Sequence, residues 1–424
     1  MEKVVILRSG KCAWGRCVFC GWGKKEYPKL KISEFKKIVD DALRKPVKRL
    51  KIFCSGSFLD DSQITPEMRR YVVRRCELSG VEELVVESRP EFVTEERIRD
   101  LVSEKVRVTV AIGLEVADDG ILRKLKKGFG TEDYLKAVST LRKFGLGVRT
   151  YILVNAPFTD DRSLERSVEF ASRHSDTVCL INCVPHRDAE IFGMWIRGEW
   201  KPLSRKEFLK KVERFLGKGV EADYENISFV PTFPDRKWIK GAGRDQLLHP
   251  YFRVWQEYLC EIYEPPNRDA VLFIPCTYTK PYSRSVLHRK ILRAVPKSVH
   301  LVVVSSPGVI PYEFVNRYPF NRYDWPEWEE TEEIKKLYRE VTAKRIENYL
   351  RAHRYRRCFS YLRPDSDSFA ALKDACARLG IEPVSCLTPE TWERIRERKN
   401  PLASDEAIED LKRILRENLK RAKG

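Results

Sequence analysis

Three cysteines crowd residues 11–23, which read K-C-A-W-G-R-C-V-F-C-G-W-G. Cys12, Cys17 and Cys20 lie within nine residues and follow the apolar run 4–7 almost directly. Thiolates are soft ligands, and three of them on one loop can bind three irons of a four-iron cluster while the fourth iron stays open to a small chelate. The spacing therefore favours iron–sulfur chemistry at the end of a buried first strand.

Two other interpretations of these cysteines remain open. A structural zinc site needs four ligands, and the nearest later candidate is Cys54, on another segment. No second C-x-x-C follows anywhere in the chain. Chance clustering of cysteines is the remaining alternative.

Strand-like and helical patterns alternate through the first half of the chain. Helix signals include a cap and first-turn proline at Thr65-Pro66, a cap with acids at Thr131-Glu132-Asp133, and a cap at Ser204. Six β–α units in series predict parallel strands covered by helices, an α/β partial barrel of (β/α)6 type over residues 1–235. Chemistry in such barrels gathers at the C-terminal ends of the strands. The predicted strands are residues 4–7, 50–53, 84–86, 106–112, 148–154 and 178–181.

A second α/β series follows an interruption rich in proline and glycine. We expect a linker and connecting helix over residues 236–268, and a C-terminal parallel α/β sandwich domain over residues 269–424. Its predicted strands are residues 271–274, 299–304, 358–362 and 382–386.

Small and charged residues follow the predicted strands of the first half. Small residues, such as those after the second strand, let a ligand approach the backbone closely, although an ordinary tight turn is the alternative. Buried charges need partners, so we expect the charged residues after the third and fourth strands to line one cavity, with surface salt bridges as the alternative. The candidates are Ser55, Gly56, Ser57, Glu87, Arg89, Glu115, Asn155 and His186.

The strand predicted at 271–274 runs into a dense polar segment, P-C-T-Y-T-K-P-Y-S-R-S-V-L-H. A helix beginning there would favour an anion at its N-terminus. The segment also holds a thiol, a potential nucleophile, beside potential proton donors. The candidates are Cys276, Lys280, Tyr282, Ser283 and His288.

The net charge is +18, from 80 Lys plus Arg against 62 Asp plus Glu. A basic excess of this size favours a nucleic-acid partner, with a heat-adapted surface as the alternative. No apolar run reaches about 18 residues, and the N-terminus lacks the pattern of a signal peptide. We therefore expect a cytoplasmic protein with no membrane association and with reduced thiols.

The cysteine loop resembles that of the radical S-adenosylmethionine (SAM) enzymes, whose pattern is C-x3-C-x-aromatic-C. Phe19 occupies the aromatic place, although four residues rather than three separate Cys12 from Cys17. The resemblance implies a 4Fe–4S cluster held by the three cysteines, SAM on the open iron and an external electron donor. It implies cofactor-binding roles for Phe19, Ser55, Gly56, Ser57, Glu87 and Asn155.

Further motifs resemble a narrower group. E-S-R-P-E, G-L-E and K-G-F resemble the radical SAM branch that holds the Elongator catalytic subunit and the archaeosine-forming proteins, and G-S-F-L-D resembles the latter. P-C-x3-K-P-Y-S-x-S-x2-H resembles the signature of archaeosine synthase, a tRNA-modifying enzyme related to tRNA-guanine transglycosylases. The first resemblance covers roughly residues 1–235 and the second roughly residues 245–424.

These resemblances together imply a radical SAM enzyme that cleaves the C–N bond of the lysine adduct of 7-cyano-7-deazaguanine in tRNA, leaving archaeosine. Expected partners are tRNA and an archaeosine synthase or related transglycosylase-like subunit. Because no transglycosylase-like barrel or RNA-binding PUA domain is recognisable in the sequence, we expect the second half to recognise substrate rather than attach lysine. Expected catalytic residues are Glu115, Arg89 and Cys276, and expected substrate contacts are Lys280, Tyr282, Ser283, His288 and His186.

Two alternatives to this function remain. One is another radical SAM tRNA modifier of Elongator-like or methylthiolating type. The other is a non-catalytic tRNA-binding scaffold for archaeosine synthase.

Overall fold

The computed structural model describes residues 1–223 and 230–420, and the chain divides into two compact units, residues 1–229 and 230–424. Each unit has its own predominantly parallel sheet with helices between successive strands, which confirms the α/β class predicted for both halves. No helix within the described ranges is both long enough and apolar enough to cross a bilayer.

The sheet of the first unit has seven strands, all parallel and paired in chain order. This order is that of a partial barrel, so the strand ends that carry chemistry all lie at one rim. The six predicted strands are present, and a seventh, unpredicted strand extends the sheet. The strands are β1 (Glu2–Leu7), β2 (Arg49–Cys54), β3 (Glu83–Ser88), β4 (Arg107–Glu115), β5 (Gly147–Val154), β6 (Thr177–Asn182) and β7 (Val220–Asp223).

Several helices of the first unit begin where the sequence supplies a capping side chain. The Thr65 hydroxyl accepts a hydrogen bond from Met68 N at 3.4 Å, and Ser204 accepts one from Glu207 N at 3.2 Å. The helices are α1 (Ile32–Ala42), α2 (Pro66–Leu78), α3 (Glu95–Ile98), α4 (Asp119–Lys124), α5 (Thr131–Lys143), α6 (Asp161–His174), α7 (Glu190–Arg197) and α8 (Arg205–Val212).

The second unit holds a five-stranded sheet in the order β11-β10-β9-β13-β14 and a two-stranded ribbon of β12 and β8. All strand pairs of the sheet are parallel except β10 with β11, an antiparallel edge that the sequence did not predict. The strands are β8 (Ile239–Lys240), β9 (Ala270–Pro275), β10 (His300–Ser305), β11 (Gly308–Pro311), β12 (Tyr323–Asp324), β13 (Arg357–Ser360) and β14 (Val384–Ser385).

Apolar residues of β9 and β10 form the centre of this unit, and helices cover the sheet. A continuous apolar run is typical of a strand buried on both faces. The helices are α9 (Arg244–Leu247), α10 (Pro250–Glu261), α11 (Val286–Ala294), α12 (Glu332–His353), α13 (Asp367–Arg378), α14 (Pro389–Ile395) and α15 (Asp405–Lys420).

Candidate functional site

Glycines let the loop after β1 fold tightly around its cysteines. A Cβ added at Gly23 would lie 3.1 Å from Cβ of Cys12 and 3.5 Å from its Sγ. The Gly23 amide in turn donates to Sγ of Cys20 at 3.4 Å. Gly15 has φ +59, and a Cβ there would lie 2.8 Å from the Gly23 carbonyl oxygen. Gly23 therefore lies between the first and third cysteines and brings both thiols to one part of the loop.

Backbone hydrogen bonds fasten this loop to the segments beyond β4 and β6. Val18, between the second and third cysteines, donates to the Leu125 carbonyl at 3.0 Å and accepts from Ile191 N at 3.0 Å. The indole of Trp14 donates to the Lys126 carbonyl at 2.7 Å. The position of the cysteines is therefore set by the opposite part of the barrel as well as by β1.

A buried ion pair lies beside the loop. Lys127 Nζ lies 2.6 Å from Oε1 of Glu115, and the two side chains are 8 % and 9 % exposed. The same Nζ lies 5.5 Å from the ring centroid of Phe19 and 5.2 Å from that of Phe129. Burial opposes the charge on Lys127, but the Glu115 carboxylate outweighs it and raises the pKa of Lys127 above its usual value. Lys127 therefore keeps its positive charge next to the residue that precedes the third cysteine.

A β-bulge directs Glu115 toward this lysine. The register between β4 and β5 shifts between Gly113 and Glu115, and Glu115 has φ +71. A Cβ at Gly113 would lie 2.4 Å from Oε1 of Glu115. Asn155, at the end of β5, also has a positive φ, of +64. Strained non-glycine backbone of this kind persists only where the surroundings impose it, and it is concentrated at functional sites.

Arg89 connects the cysteine loop with the segment around the ion pair. Its guanidinium lies 5.6 Å from the ring centroid of Trp14 and 5.1 Å from that of Phe129. It donates to the Lys127 carbonyl at 3.1 Å and pairs with Glu91. The structure therefore brings Arg89, Glu115 and Phe19 together around Lys127. Lys127 belongs to the K-G-F motif, but no role was predicted for it from the sequence.

The segment after β2 contains both free and engaged polar groups. The Ser55 hydroxyl is buried and has no hydrogen-bond partner among the described residues. A Cβ added at Gly56 would lie 3.0 Å from Cα of Cys12. The Ser57 hydroxyl is instead 2.6 Å from that of Ser88, and its amide donates to Gln63 Oε1 at 2.8 Å. Ser55 is thus available to a ligand near the first cysteine, whereas Gly56 packs closely between Gln63 and Cys12, and Ser57 joins two loops.

Gln63 is a residue of this region that the sequence did not indicate. It is 3 % exposed, and its amide group also donates to the Ser9 carbonyl at 2.9 Å. It therefore joins the segment after β1 to the one after β2. A lone glutamine in a polar loop gives no sequence signal for such a role.

His186 and Asn155 lie at two further parts of the rim. A Cβ added at Gly21 would lie 1.8 Å from Nδ1 of His186, and the imidazole meets the Trp22 ring edge-on at 5.4 Å. His186 therefore packs directly on the cysteine loop. The Asn155 side-chain amide donates to the Lys201 carbonyl at 2.9 Å. Asn155 thus holds the segment before α8 at the end of β5.

Glu87, at the end of β3, has an unusual environment. Burial, with a smaller contribution from the nearby Glu115 carboxylate, raises the pKa of Glu87 to about 8, although Tyr151 and Arg149 act in the opposite direction. The carboxyl group is therefore largely protonated at neutral pH. A protonated carboxyl can donate a hydrogen bond as well as accept one.

We expect Glu87→Gln to raise the free energy of unfolding at pH 7 by ~1–3 kcal/mol. The folded protein keeps a proton that the unfolded chain releases above a pKa of about 4.3, so wild-type stability falls as pH rises from there to about 8. The gain should be small at pH 5 and grow toward pH 8, as measured by thermal unfolding. Glu82→Gln is the control, because Glu82 is an exposed partner of Lys48. A gain independent of pH would contradict the shifted pKa.

The donor set suits an iron–sulfur cluster with a small polar ligand. Three thiols lie on one glycine-lined loop, and an unpartnered hydroxyl lies on the segment that packs against the first of them. Among the described residues, no three Cys, His, Asp or Glu side chains already stand in the arrangement of a metal site. Cluster binding would therefore require the thiol side chains to turn toward one another.

The second unit gathers polar side chains where β9 and β10 end. The Cys276 thiol lies beside the Ser305 hydroxyl, which accepts from the Tyr323 hydroxyl at 2.7 Å. The Tyr323 and Tyr282 hydroxyls are bonded to each other. Lys280 Nζ lies 4.1 Å from the Tyr323 ring centroid. The structure therefore joins three predicted residues to two, Ser305 and Tyr323, that were not among the predicted site residues.

Two predicted members of this group take no part in its side-chain hydrogen bonds. His288 is fully buried and stacks on Tyr282 with ring centroids 4.9 Å apart, while its Nε2 lies 2.9 Å from the Pro275 carbonyl oxygen. Burial lowers the pKa of His288 to about 4, so the ring is neutral and supports Tyr282 from behind. Ser283 is exposed, and no contact joins it to this group among the described residues.

Burial shifts the pKa values of Cys276 and Lys280 toward their neutral forms. Burial raises the pKa of the Cys276 thiol, although Ser305 and Lys280 oppose the change. Burial also lowers the pKa of Lys280. The thiol is therefore protonated at neutral pH, and the group resembles a set of hydrogen-bond donors more than an activated nucleophile.

Two family models match the chain. Residues 6–171 match the radical SAM superfamily, and residues 252–414 match a domain of unknown function, DUF5591. The first match confirms the expected cofactors, a 4Fe–4S cluster and SAM.

Several curated relatives resemble parts of the chain. Archaeosine synthase subunit beta of Methanosarcina acetivorans is 31 % identical over 214 residues, which cover 47 % of this chain and 62 % of the relative. The subunit of the same name in Thermococcus kodakarensis is 34 % identical, covering 36 % and 50 %. Archaeosine synthase subunit alpha of Thermoplasma acidophilum is 32 % identical, covering 34 % and 29 %.

The matched stretches span less than two thirds of each of these relatives. The relatives carry subunit names from one modification system, in agreement with the resemblances seen in both halves of the sequence. The chain accordingly combines a radical SAM domain, matched over residues 6–171, with a DUF5591 domain, matched over residues 252–414.

Proposed function

We propose that the first unit is a radical SAM enzyme that cleaves the C–N bond of the lysine adduct of 7-cyano-7-deazaguanine in tRNA, leaving archaeosine. The observation that supports this most is the joining of the cysteine loop, through Phe19 and Trp14, to Lys127, Glu115 and Arg89. The names of the relatives agree with the pathway.

In this proposal Cys12, Cys17 and Cys20 hold the cluster, which with bound SAM supplies the one-electron chemistry. The residues of the rim bind and orient. Ser55 and Gly56 would bind the polar end of SAM, because Ser55 offers an unpaired hydroxyl and the backbone of Gly56 lies against Cys12. Glu87, Asn155 and the backbone at Ser57 would complete that cofactor site.

Glu115 and Arg89 would act on the reacting part of the substrate. The amidine of the adduct is basic, so a buried carboxylate offers it a charged hydrogen-bond partner. The contact with Lys127, at 2.6 Å, holds that carboxylate in place before the substrate arrives. His186, which packs on the cysteine loop, would form one wall of the substrate cavity. Enclosure by these side chains would exclude water from the reactive centre.

The proposed partners are tRNA, a reducing electron donor and an archaeosine synthase or related subunit. The net charge of +18 favours a polyanionic substrate. The relatives named as alpha and beta subunits support a two-part system.

Anaerobic incubation of the protein with SAM, a reductant and tRNA carrying the lysine adduct tests this function. Nucleoside mass spectrometry should show archaeosine replacing the adduct. Reactions without SAM, or with the Glu115→Gln protein, are the matched controls. Unchanged adduct in the presence of an intact cluster and turnover-competent SAM would contradict the proposal.

For the second unit we propose recognition of the modified base and its phosphate by Lys280, Tyr282 and the groups around them. The protonated Cys276 thiol supports recognition over lysine attachment, because addition to a nitrile needs an activated nucleophile. His288 would support this site by packing on Tyr282, and Ser283 would belong to the loop that carries Tyr282.

Lys280→Ala should therefore weaken tRNA binding, while Cys276→Ser should leave cleavage of a preformed adduct unchanged. The loss on Lys280→Ala should be about tenfold, since a phosphate contact to lysine contributes on the order of 1 kcal/mol. Incubation with labelled free lysine and nitrile-bearing tRNA, without SAM, is the decisive comparison. Incorporation of label that Cys276→Ser stops would show lysine attachment instead.

A further inference from the structure

The ribbon of β8 and β12 presents an aromatic and basic face to solvent. Ile239 pairs with Tyr323 and Lys240 with Asp324. Ile239 and Tyr323 are buried, whereas Trp238 is 50 % exposed. Lys240 and Arg322 are exposed as well. Because side chains alternate along a strand, the ribbon has an apolar inner face and an outer face with an indole beside two cations.

The backbone under this tryptophan is held firmly. The Arg322 guanidinium donates to the Arg236 carbonyl at 3.0 Å, and the Tyr318 hydroxyl donates to the Lys237 carbonyl at 2.9 Å. Ile239 N donates to the Arg322 carbonyl at 3.1 Å. Trp238 is therefore a large apolar side chain displayed on a fixed segment, and its exposure needs an explanation other than a loose loop.

The charges around Trp238 are mainly positive. Arg236, Lys237, Lys240 and Arg322 are exposed cations in or next to the ribbon. The acids are Asp235, whose carboxylate accepts from the Tyr251 hydroxyl at 2.7 Å, and the partly buried Asp324. Lys240 Nζ lies 5.8 Å from the Trp238 ring centroid. An anionic partner with a flat ring would meet both features of this face.

The inner face of the same ribbon forms a wall of the polar group in the second unit. The Tyr323 hydroxyl bonds to Ser305 and Tyr282, and Lys280 lies over the Tyr323 ring. The outer face therefore lies at the edge of the site proposed to recognise the modified base. A nucleotide bound there would be next to one bound inside.

We propose that Trp238, Lys240 and Arg322 bind an unpaired nucleotide of RNA, with the base stacked on the indole and the phosphates on the two cations. Base stacking on an aromatic side chain is worth about 1–3 kcal/mol and is open to any base, while duplex RNA hides the faces of its bases. The proposal rests on the proposed function only in taking tRNA as the RNA.

Binding of an unmodified tRNA transcript to the full-length protein, by fluorescence anisotropy without SAM or reductant, tests this. Trp238→Ala should lower affinity by ~5- to 100-fold, and Trp238→Phe by much less. Trp328→Ala is the matched control, because Trp328 is 76 % exposed but lies between Glu327 and Glu329. Lys240→Ala should reduce the slope of log affinity against log salt by about one.

Competition separates the possible partners. A single-stranded RNA oligomer should displace tRNA from the wild-type protein and not from the Trp238→Ala protein. An RNA duplex should not compete for stacking on Trp238, so its effect should be the same on both proteins. Wild-type affinity in Trp238→Ala, or an equal loss in Trp328→Ala, would overturn the proposal. Because binding is measured without catalysis, failure of the cleavage reaction would leave this result standing, and the reverse also holds.

Discussion

Replacement of any one of Cys12, Cys17 or Cys20 with Ala should abolish the oxygen-sensitive iron–sulfur absorption and the reductive cleavage of SAM. Each thiolate is expected to hold a different iron, so the loss of one thiolate leaves an iron without its protein ligand. The loop itself is fastened through Val18 and Trp14, so the variants should still fold. Iron and sulfide content after anaerobic reconstitution, together with 5′-deoxyadenosine production, measures both effects.

Cys76→Ala is the matched control for these variants. Cys76 is fully buried in α2, so its loss changes packing without touching the cysteine loop. The control should keep its full iron content. Full iron content in a Cys17→Ala protein would contradict the assignment, and loss of iron in Cys76→Ala would show that the losses reflect general instability.

Lys127→Ala should lower the free energy of unfolding by about 3–5 kcal/mol, because it leaves the Glu115 carboxylate buried and unpaired. Lys126→Ala is the neighbouring control. Lys126 pairs with Glu190 at the same distance, 2.6 Å, but the two side chains are 53 % and 47 % exposed, so its loss should cost less than about 1 kcal/mol. Thermal and urea unfolding of the cluster-free proteins measures both.

A second substitution separates lost charge pairing from lost packing. Adding Glu115→Gln to Lys127→Ala removes the unpaired charge and should restore part of the stability. Equal losses in Lys126→Ala and Lys127→Ala, or no recovery in the double variant, would contradict a buried ion pair beside the cysteine loop.

The features predicted from sequence are those that local patterns determine. The six strands of the first unit read as apolar runs, and the caps at Thr65 and Ser204 follow from side chains near in sequence. Thr131 was predicted to cap α5, but it is the first helical residue. Gly130 occupies the N-cap, and Asp133 accepts from its amide at 2.9 Å.

The unpredicted strands lack such patterns. β7, Val220–Asp223, contains two acids and is held by pairing with β6 rather than by an apolar sequence. β11, Gly308–Pro311, begins with glycine and ends with proline, which is tolerated because the strand lies at the sheet edge. Tertiary pairing therefore decides both strands.

The candidate sites show the same division. The cysteines and the strand-end motifs were visible as residue types, but the pairing of Lys127 with Glu115 depends on a bulge and a positive φ that no local pattern encodes. Tyr323 reaches the second site only because β12 pairs with β8, far away in the chain. Ser283 was predicted from its place in a motif, whereas the neighbouring Ser285 caps α11, accepting from His288 N at 3.4 Å.

Transfer of hydrogen from the lysine arm to SAM tests the central claim most directly. We would prepare tRNA whose adduct carries deuterium on the lysine carbon bonded to the amidine nitrogen, incubate it anaerobically with the reconstituted protein, SAM and reductant, and analyse 5′-deoxyadenosine by mass spectrometry. The account predicts 5′-deoxyadenosine heavier by one deuterium, formed together with archaeosine. Archaeosine formed with unlabelled 5′-deoxyadenosine, or labelled 5′-deoxyadenosine with the adduct intact, would contradict it.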